Sequence, residues 1–560
     1  MTPDVKVSVI IAVYNPGPYL DLPIGSLQRQ TMPAGEWEAI LVDDGSTDGS
    51  GDRLDAIAAE NPHIRAVHIP NSGWPGTPRN VALPMARGEH VLIMDHDDWL
   101  GTEALERMYD FAESTGADVV VAKEVGHGFG VPLMAFQRTI PDARLGEDPL
   151  LTLLTPHKLF RRSMLEAHGV RFPDGKRRLE DHLFVMPAYF GAKRIAVMAD
   201  YPAYHWTRRS NDANASYTPV DPVAYYDAVR EILDIVDAHT EPGPLRDELY
   251  GHWYRNKTLH KLRGPRWTGL SPTAGTKRRF EEIRRITDER FDSRLDRDLP
   301  VRYRYLARAV RAGRMDLVRP HATLTDAIDT SVKVTSLTTS EGRIDAVLDC
   351  TLRASGRHLR FDQRDGRAFW VPPDELADPV LSPADLDATD DLADASVLVI
   401  LRHRASAAEY SRTFPLELRA EGGVTISAGT ARIEIDMNRF AAGTQLANGV
   451  WDGKLQIWIG GWRGTSRLPA TGLSKSTGSW WARPYANNRG DISITIDGSS
   501  AAELETPPEV NLPSPNPIGR PSDWLAQARV RRALRRYVPV GARRAARNIL
   551  ERVTGRPSGW

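Results

Sequence analysis

Between Val7 and Asp98 the chain alternates short apolar runs with stretches of helical character, and each run ends in polar or turn-forming residues. The runs are Val7-Ser8-Val9-Ile10-Ile11-Ala12-Val13, Ala39-Ile40-Leu41-Val42, Ala66-Val67-His68-Ile69 and Val91-Leu92-Ile93-Met94, with helices expected near residues 17–30, 50–60 and 77–87. Strands this apolar must be covered on both faces, which restricts the fold to α/β with a mostly parallel sheet. Ligands of such sheets bind at the carboxyl ends of the strands.

Four of those ends carry candidate site residues: Tyr14-Asn15-Pro16-Gly17, Asp43-Asp44-Gly45-Ser46-Thr47-Asp48, Asn71-Ser72-Gly73-Trp74-Pro75-Gly76 and Asp95-His96-Asp97-Asp98. Taken singly, these are turns or helix caps, and Ser46-Thr47-Asp48 is a reasonable N-cap sequence. Taken together at successive strand ends they mark a nucleotide site. Asp95, Asp97 and Asp98 offer oxygen ligands to a hard divalent cation, Mn²⁺ or Mg²⁺, able to bridge two phosphates. His96 reads as a supporting or solvated residue rather than a ligand, and Asp98 as a cap for the helix expected over 100–116.

Beyond another strand at Asp118–Ala122, the Gly- and Pro-rich segment 126–150 reads as a mobile or acceptor-facing loop, and residues 222–315 as charged helices. From about 330 the period changes to two: Ile344, Ala346, Leu348, Cys350 and Leu352 alternate with polar residues, as do Ile433, Ile435 and Met437, then Leu455, Ile457 and Ile459, then Ile492, Ile494 and Ile496. Strands of this kind between turn residues predict an antiparallel sandwich. The expected division is 1–221 nucleotide-binding, 222–329 helical connector, 330–500 β-sandwich, 501–522 Pro/Ser-rich linker and 523–560 basic tail.

The 560 residues are too many for one core, and 72 basic against 73 acidic residues give no overall attraction to nucleic acid. A single cysteine, Cys350, excludes a disulfide framework and a cysteine-based zinc site, and fits a cytosolic compartment. No signal-length apolar run precedes the first strand and no segment is apolar enough to span a membrane, so a soluble or peripheral protein is expected. The tail from Arg520 to Trp560 holds eleven Arg against Asp523 and Glu551. Two readings stand for it: a helix lying on an anionic bilayer, and a solvated basic helix packed on its own protein.

The string Val7 to Asn15, with Val42-Asp43-Asp44-Gly45-Ser46-Thr47-Asp48 and Asp95-His96-Asp97-Asp98 behind it, resembles the family 2 inverting glycosyltransferases of the GT-A fold. Asn71 to Leu83, Thr155-Pro156-His157-Lys158-Leu159-Phe160-Arg161 and Glu180-Asp181-His182-Leu183-Phe184 look like the poly(ribitol phosphate) wall teichoic acid glycosyltransferases. The resemblance implies a GT-A nucleotide-sugar-binding domain that moves a hexose or N-acetylhexosamine from a UDP-sugar to a hydroxyl of a cell-surface polymer such as a teichoic-acid-like polyol phosphate. Asp43 or Asp44 would accept from uracil, with Val13 and Tyr14 against the base. Asn71 and Arg79 would line the nucleotide side, Asp95 would approach the ribose and Asp97 would hold the metal. Glu180 and Asp181 match the acidic pair that supplies the catalytic base, with Asp181 the base and Glu180 orienting it. Arg208 or Arg209 would close on the diphosphate.

Two positions depart from that pattern. Ser210-Asn211-Asp212-Ala213-Asn214 stands where the teichoic acid enzymes carry a histidine, and Trp74 where a second Gly is expected. Some relatives carry two sandwiches and trimerise through them; one sandwich is expected here, with a trimer as the implied assembly. Two other functions compete with sugar transfer: a nucleotidyltransferase, and a carbohydrate-binding or assembly protein with a decayed catalytic domain. The lack of an early Gly-rich Arg/Lys loop counts against the first, and intact Asp43, Asp97 and Asp181 against the second.

Overall fold

Strands β1 (Val7–Val13) and β2 (Trp37–Asp43) are buried along their whole length because successive residues feed two separate cores. Ile10, Ile40 and Val42 face one, and Val9, Ile11 and Leu41 the other. The computed structural model describes residues 5–209, 221–269, 273–421, 424–473, 480–498 and 503–506. In chain order the first domain continues α1 (Asp21–Gln28), α2 (Ser50–Glu60), β3 (Ile64–His68), α3 (Gly76–Ala82), β4 (His90–Asp95), β5 (Trp99–Leu100), α4 (Ala104–Thr115), β6 (Val119–His127), β7 (Ile140–Ala143), β8 (Leu159–Arg161), α5 (Arg162–Ala167), α6 (Glu180–Gly191) and β9 (Ile195–Thr207).

The sheet order is β3-β2-β1-β4-β8-β6-β9-β5, with β7 on β9. β3, β2, β1 and β4 run parallel, while β8 enters antiparallel between β4 and β6. Register then sets the rim: Val13 lies opposite Asp43, Ala12 opposite Asp95 and Asp43 opposite His68. Three strand ends therefore deliver polar groups to one edge.

Two expected helices are shorter than their apolar pattern. The one near 77–87 ends at Ala82 and tightens into a 3₁₀ turn over Leu83–Met85, where Pro84 has no N–H to continue the ladder. The one over 100–116 starts at Ala104, because Trp99 and Leu100 pair with His205 and Tyr204 of β9. Asp98 consequently does not cap it. Its carboxylate accepts instead from the Thr207 backbone N–H at 2.7 Å and the Tyr204 hydroxyl at 2.8 Å.

The connector is helical: α7 (Pro222–His239), capped by Asp221 on the Ala224 N–H, then α8 (Pro244–His252), α9 (Pro265–Thr268), α10 (Ala274–Arg290), α11 (Val301–Arg311) and α12 (Met315–Asp326). A π-helical turn over Trp253–Thr258 prolongs α8.

The region of alternating pattern forms two antiparallel sheets. One comprises β10 (Ile328–Ser340), β11 (Arg343–Ala354), β12 (Arg357–His358), β13 (Arg360–Arg364), β14 (Arg367–Val371), β17 (Glu417–Glu421) and β18 (Val424–Asp436). The other comprises β15 (Ser396–His403), β16 (Glu409–Pro415), β19 (Gly449–Ile459), β20 (Trp462–Arg467), β21 (Ala482–Ala486) and β22 (Ile492–Ile496). The alternating apolar residues named from sequence are all buried, Cys350 among them as a free thiol. The sandwich meets the first domain where the Tyr410 hydroxyl donates to the Asp200 carbonyl at 3.0 Å and the Gln137 amide to Thr413 Oγ1 at 2.9 Å. Lys123 of β6 is buried there, its ammonium 4.3 Å from the centre of the Tyr410 ring. Burial pushes this lysine down to about 7. The segment 126–150 read as a loop is only partly irregular, since it includes the end of β6 and all of β7.

Candidate active site

The rim is laced together by short polar residues. Asn15, at φ +45°, receives the Thr47 N–H on its side-chain oxygen at 2.8 Å and donates its own N–H to Ser46 Oγ at 3.0 Å. Asp43 is buried and accepts from the Ser46 N–H at 3.0 Å, with His68 Nδ1 3.2 Å from its other oxygen. Asp44, also buried, accepts from the Ser72 N–H at 2.7 Å. The Asn71 amide donates to the Asp44 carbonyl at 2.8 Å, so Asn71 braces the second strand end against the third. Gly45, at φ +70°, permits this: a Cβ there would lie 2.7 Å from the Asn71 nitrogen. Val13 is buried at the end of β1, and Tyr14, 45% exposed, stands at the mouth.

Arg79 links this rim to the acidic pair. It is 3% exposed, and its guanidinium reaches Asp95 Oδ1 at 2.7 Å and Asp181 Oδ1 at 3.4 Å while lying 4.9 Å from the Phe172 ring centre. The resemblance puts Arg79 along the nucleotide wall; in the structure its buried guanidinium lies between two carboxylates, one from β4 and one from α6. Asn80 holds α3 in place, donating to the Phe172 carbonyl at 2.8 Å and accepting the Phe172 N–H at 2.9 Å.

Asp95 has a second partner that sequence reasoning did not assign. His157 Nε2 lies 3.2 Å from Asp95 Oδ2, and the imidazole stacks on Tyr204 with ring centres 4.3 Å apart. Burial raises the Asp95 carboxyl, but His157 and then Arg79 outweigh it and hold the group well below the usual carboxylate range. The neighbouring Lys158 is fully buried, with its ammonium bonded to the Thr155 carbonyl, and burial pushes it down to about 8. The Thr155-Pro156-His157-Lys158 string was the available signal.

Glu180 and Asp181 open α6, where unpaired backbone N–H groups favour negative charge. Leu179 before them adopts φ +59°, a left-handed conformation that a branched side chain rarely takes, and this turns the acidic pair toward Arg79. Burial, then the adjacent Asp181, push Glu180 up to about 8. Asp181 is also raised by burial, with Arg79 opposing the rise. Trp74 is buried, and Lys176 and Arg178 lie over its ring at 5.8 and 5.5 Å.

The donor set at the end of β4 fits a hard divalent cation. Asp95, Asp98 and His157 bring ligand atoms within 4.8 Å of one another; Asp97, the ligand expected from the sequence, is buried but is not one of that group. Asp98 is raised well above its ordinary value by burial and by the charges of Asp97 and Asp95, a repulsion that a cation would relieve. His96 points back into the fold, its Nδ1 3.0 Å from the Ala12 carbonyl. A second acidic group, Glu89, His90 and Glu113, surrounds Arg161, which pairs with both glutamates and so occupies the place of a metal.

Arg208 follows β9, its N–H bonded to the His127 carbonyl at 3.0 Å. Arg209 is buried. Ser210 to Asn214, most of the Pro/Ser-rich linker and the whole basic tail lie outside the described residues. Among the described residues no helix is long and apolar enough to cross a membrane.

Residues 8–172 match the model of glycosyl transferase family 2, and residues 222–322 that of the glycosyl transferase TarS linker domain. The chain is 38% identical over 235 residues to the poly(ribitol-phosphate) beta-glucosyltransferase of Bacillus spizizenii, a match covering 42% of this chain and 37% of that protein. It is 36% identical over 244 residues to the poly(ribitol-phosphate) beta-N-acetylglucosaminyltransferase TarS of Staphylococcus aureus, covering 42% of each. The matches thus span about two fifths of these relatives' own length. The structure of S. aureus TarS 1–349 with UDP-GlcNAc superposes with a TM-score of 0.53 at 26% identity, over 66% of this chain and 97% of that one. Longer S. aureus TarS superposes with a TM-score of 0.52 over 89% of this chain and 86% of that one; at 20% identity this shows a shared fold. Residues 8–172 thus match glycosyl transferase family 2 on a GT-A-like mixed α/β domain, a TarS-type linker follows over 222–322, and the chain resembles the poly(ribitol phosphate) wall teichoic acid glycosyltransferases.

Proposed function

We propose that this chain is an inverting glycosyltransferase that moves a hexose or N-acetylhexosamine from a UDP-sugar to a hydroxyl of a polyol phosphate polymer of the teichoic acid kind. The observation that carries the proposal is the Arg79 bridge, which ties Asp95 of the nucleotide rim to Asp181 of the acidic pair. Donor and acceptor chemistry then share one cleft. The names and bound UDP-GlcNAc of the relatives support this choice of donor and acceptor.

In this reading the uracil lies against Val13 and Tyr14 with Asp43 or Asp44 accepting from it, Asn71 keeps that rim in shape, and Asp95 faces the ribose with the part of its side chain that remains open. Asp181 takes the proton of the acceptor hydroxyl as it attacks the anomeric carbon opposite the departing UDP. Arg79 favours ionised Asp181 and so suits it to that task. Glu180, raised by burial and by the adjacent Asp181, orients its neighbour rather than acting as the base. Asp97 would hold Mn²⁺ or Mg²⁺, which when bound neutralises charge on the leaving diphosphate. Arg208 or Arg209 would add a further cation there. Membrane contact through the basic tail and trimerisation through the sandwich belong to the same proposal.

The family 2 match over 8–172 weighs against the nucleotidyltransferase reading, and the intact carboxylates weigh against the decayed one. UDP release from a panel of UDP-sugars, with polyol phosphate acceptor and with Mn²⁺ or EDTA, tests the proposal. Acceptor-dependent release that EDTA and Asp97→Ala each abolish is expected. Pyrophosphate release in its place, or turnover indifferent to EDTA, overturns it.

A further inference from the structure

The hairpin of β21 and β22 holds a polar cavity far in sequence from the catalytic residues. Its turn, residues 487–491, is pinned by Asn487, whose side-chain oxygen accepts the Arg489 and Asp491 N–H groups at 2.9 and 3.2 Å. Asn488 and Arg489 are thereby presented at the mouth of a cavity of about 390 Å³ that also reaches Arg404, Arg467 and Tyr485. Every lining side chain is polar.

The floor is a closed network. Arg404 donates two bonds to Asp452, at 2.9 and 2.7 Å, and a third to Ser493 Oγ at 3.1 Å. Ser493, fully buried, donates to Asp452 at 2.6 Å and accepts from the Asn487 amide at 3.0 Å. Asp452 is thus neutralised from within. Arg467 is only loosely balanced, 3.6 Å from Asp491, and Arg489 makes no ion pair among the described residues. Three guanidinium groups therefore meet two carboxylates, Asp452 and Asp491, and the excess positive charge stands at the mouth.

We propose that this cavity binds a phosphodiester unit of an anionic polyol phosphate polymer, as a second site separate from the catalytic cleft. Planar guanidinium groups suit phosphate oxygens, and the Asn amides and the Tyr485 hydroxyl suit the hydroxyls of a polyol. The volume lies in the range of small-ligand sites, enough for about one repeat. A polymer held on the sandwich stays near the cleft between transfers, which raises its effective concentration there. The identity of the polymer rests on the proposed function; the charge chemistry of the cavity does not.

The test uses the full chain and calorimetric titration with a short synthetic ribitol phosphate oligomer, inorganic phosphate and an uncharged oligosaccharide. The double variant Arg467→Gln/Arg489→Gln changes exposed side chains outside the floor network, and a melting curve checks that it folds. At least tenfold weaker oligomer binding is expected, with UDP affinity and transfer to a single polyol phosphate unit unchanged. Equal oligomer affinity in wild type and variant overturns the proposal, as does equally tight binding of the uncharged oligosaccharide or of inorganic phosphate. If the wild type binds the oligomer through Arg467 and Arg489 but transfers no sugar to it, the proposed function fails and the cavity stands. If transfer occurs and the variant binds normally, the cavity alone fails.

Discussion

Replacing Arg79 with Met removes the one cation among the described residues that pairs with both Asp95 and Asp181, while keeping most of the side-chain volume against Phe172. Leaving a buried ion pair without one partner typically costs about 3–5 kcal/mol. The carboxylates here are 38% and 32% exposed, so water recovers part of the loss and the lower end, about 3 kcal/mol, applies. At about 2–4 °C per kcal/mol for a domain of this size, the catalytic domain should melt about 6–12 °C lower. Chemistry should change in step. Arg79 opposes the upward shift of Asp181, so without it the base ionises at higher pH and the acid limb of kcat/KM moves to higher pH. Arg79→Lys retains the charge and loses the fork, and should fall between the two. Thermal melting and a pH–rate profile of the three proteins decide the matter. A Met variant that melts within a degree of wild type, with its acid limb unmoved, refutes the reasoning.

Lys123 gives a stability prediction with a definite sign. Its folded value of about 7 lies below the ~10.4 of an unfolded lysine, so between these limits the unfolded chain binds the extra proton and stability rises with pH. Lys123→Met should remove about 2 kcal/mol of that rise between pH 7 and 9, read from urea midpoints. Asn80→Ala strips both backbone partners from Phe172 and should cost about 2 kcal/mol by denaturant titration, with weaker UDP-sugar binding as α3 loosens.

The architecture was largely legible because each level repeats a simple period. Val7 to Val13 and Val91 to Met94 are too apolar for anything but strands covered on both sides, and Ile344 to Leu352 alternates because one face of β11 is core. Polar clusters at successive strand ends predicted the rim, and Asp43, Asp44 and Asn71 do brace one another there. What escaped are partnerships made across the antiparallel insertion of β8. His157 meets Asp95 over 62 residues, and Asp98 meets Tyr204 over 106, separations at which neither spacing nor periodicity carries information. Local signals misplaced Asp98 for the same reason: an acidic residue just before a helical stretch looks like a cap until β9 arrives to claim it. Pro84 was visible in the sequence, yet the apolar pattern around it outweighed the helix stop it encodes.

Asp181 as the base of an inverting transfer is the central assignment in the proposed function. The direct measurement is the product formed from a UDP-hexose or UDP-N-acetylhexosamine and a polyol phosphate acceptor, its anomeric linkage read by NMR, for wild type and Asp181→Asn. A β-linked sugar from the α-linked donor is expected, with turnover about 10²–10⁴-fold lower in the variant and UDP affinity retained. An α-linked product, or a variant that turns over like wild type, contradicts it.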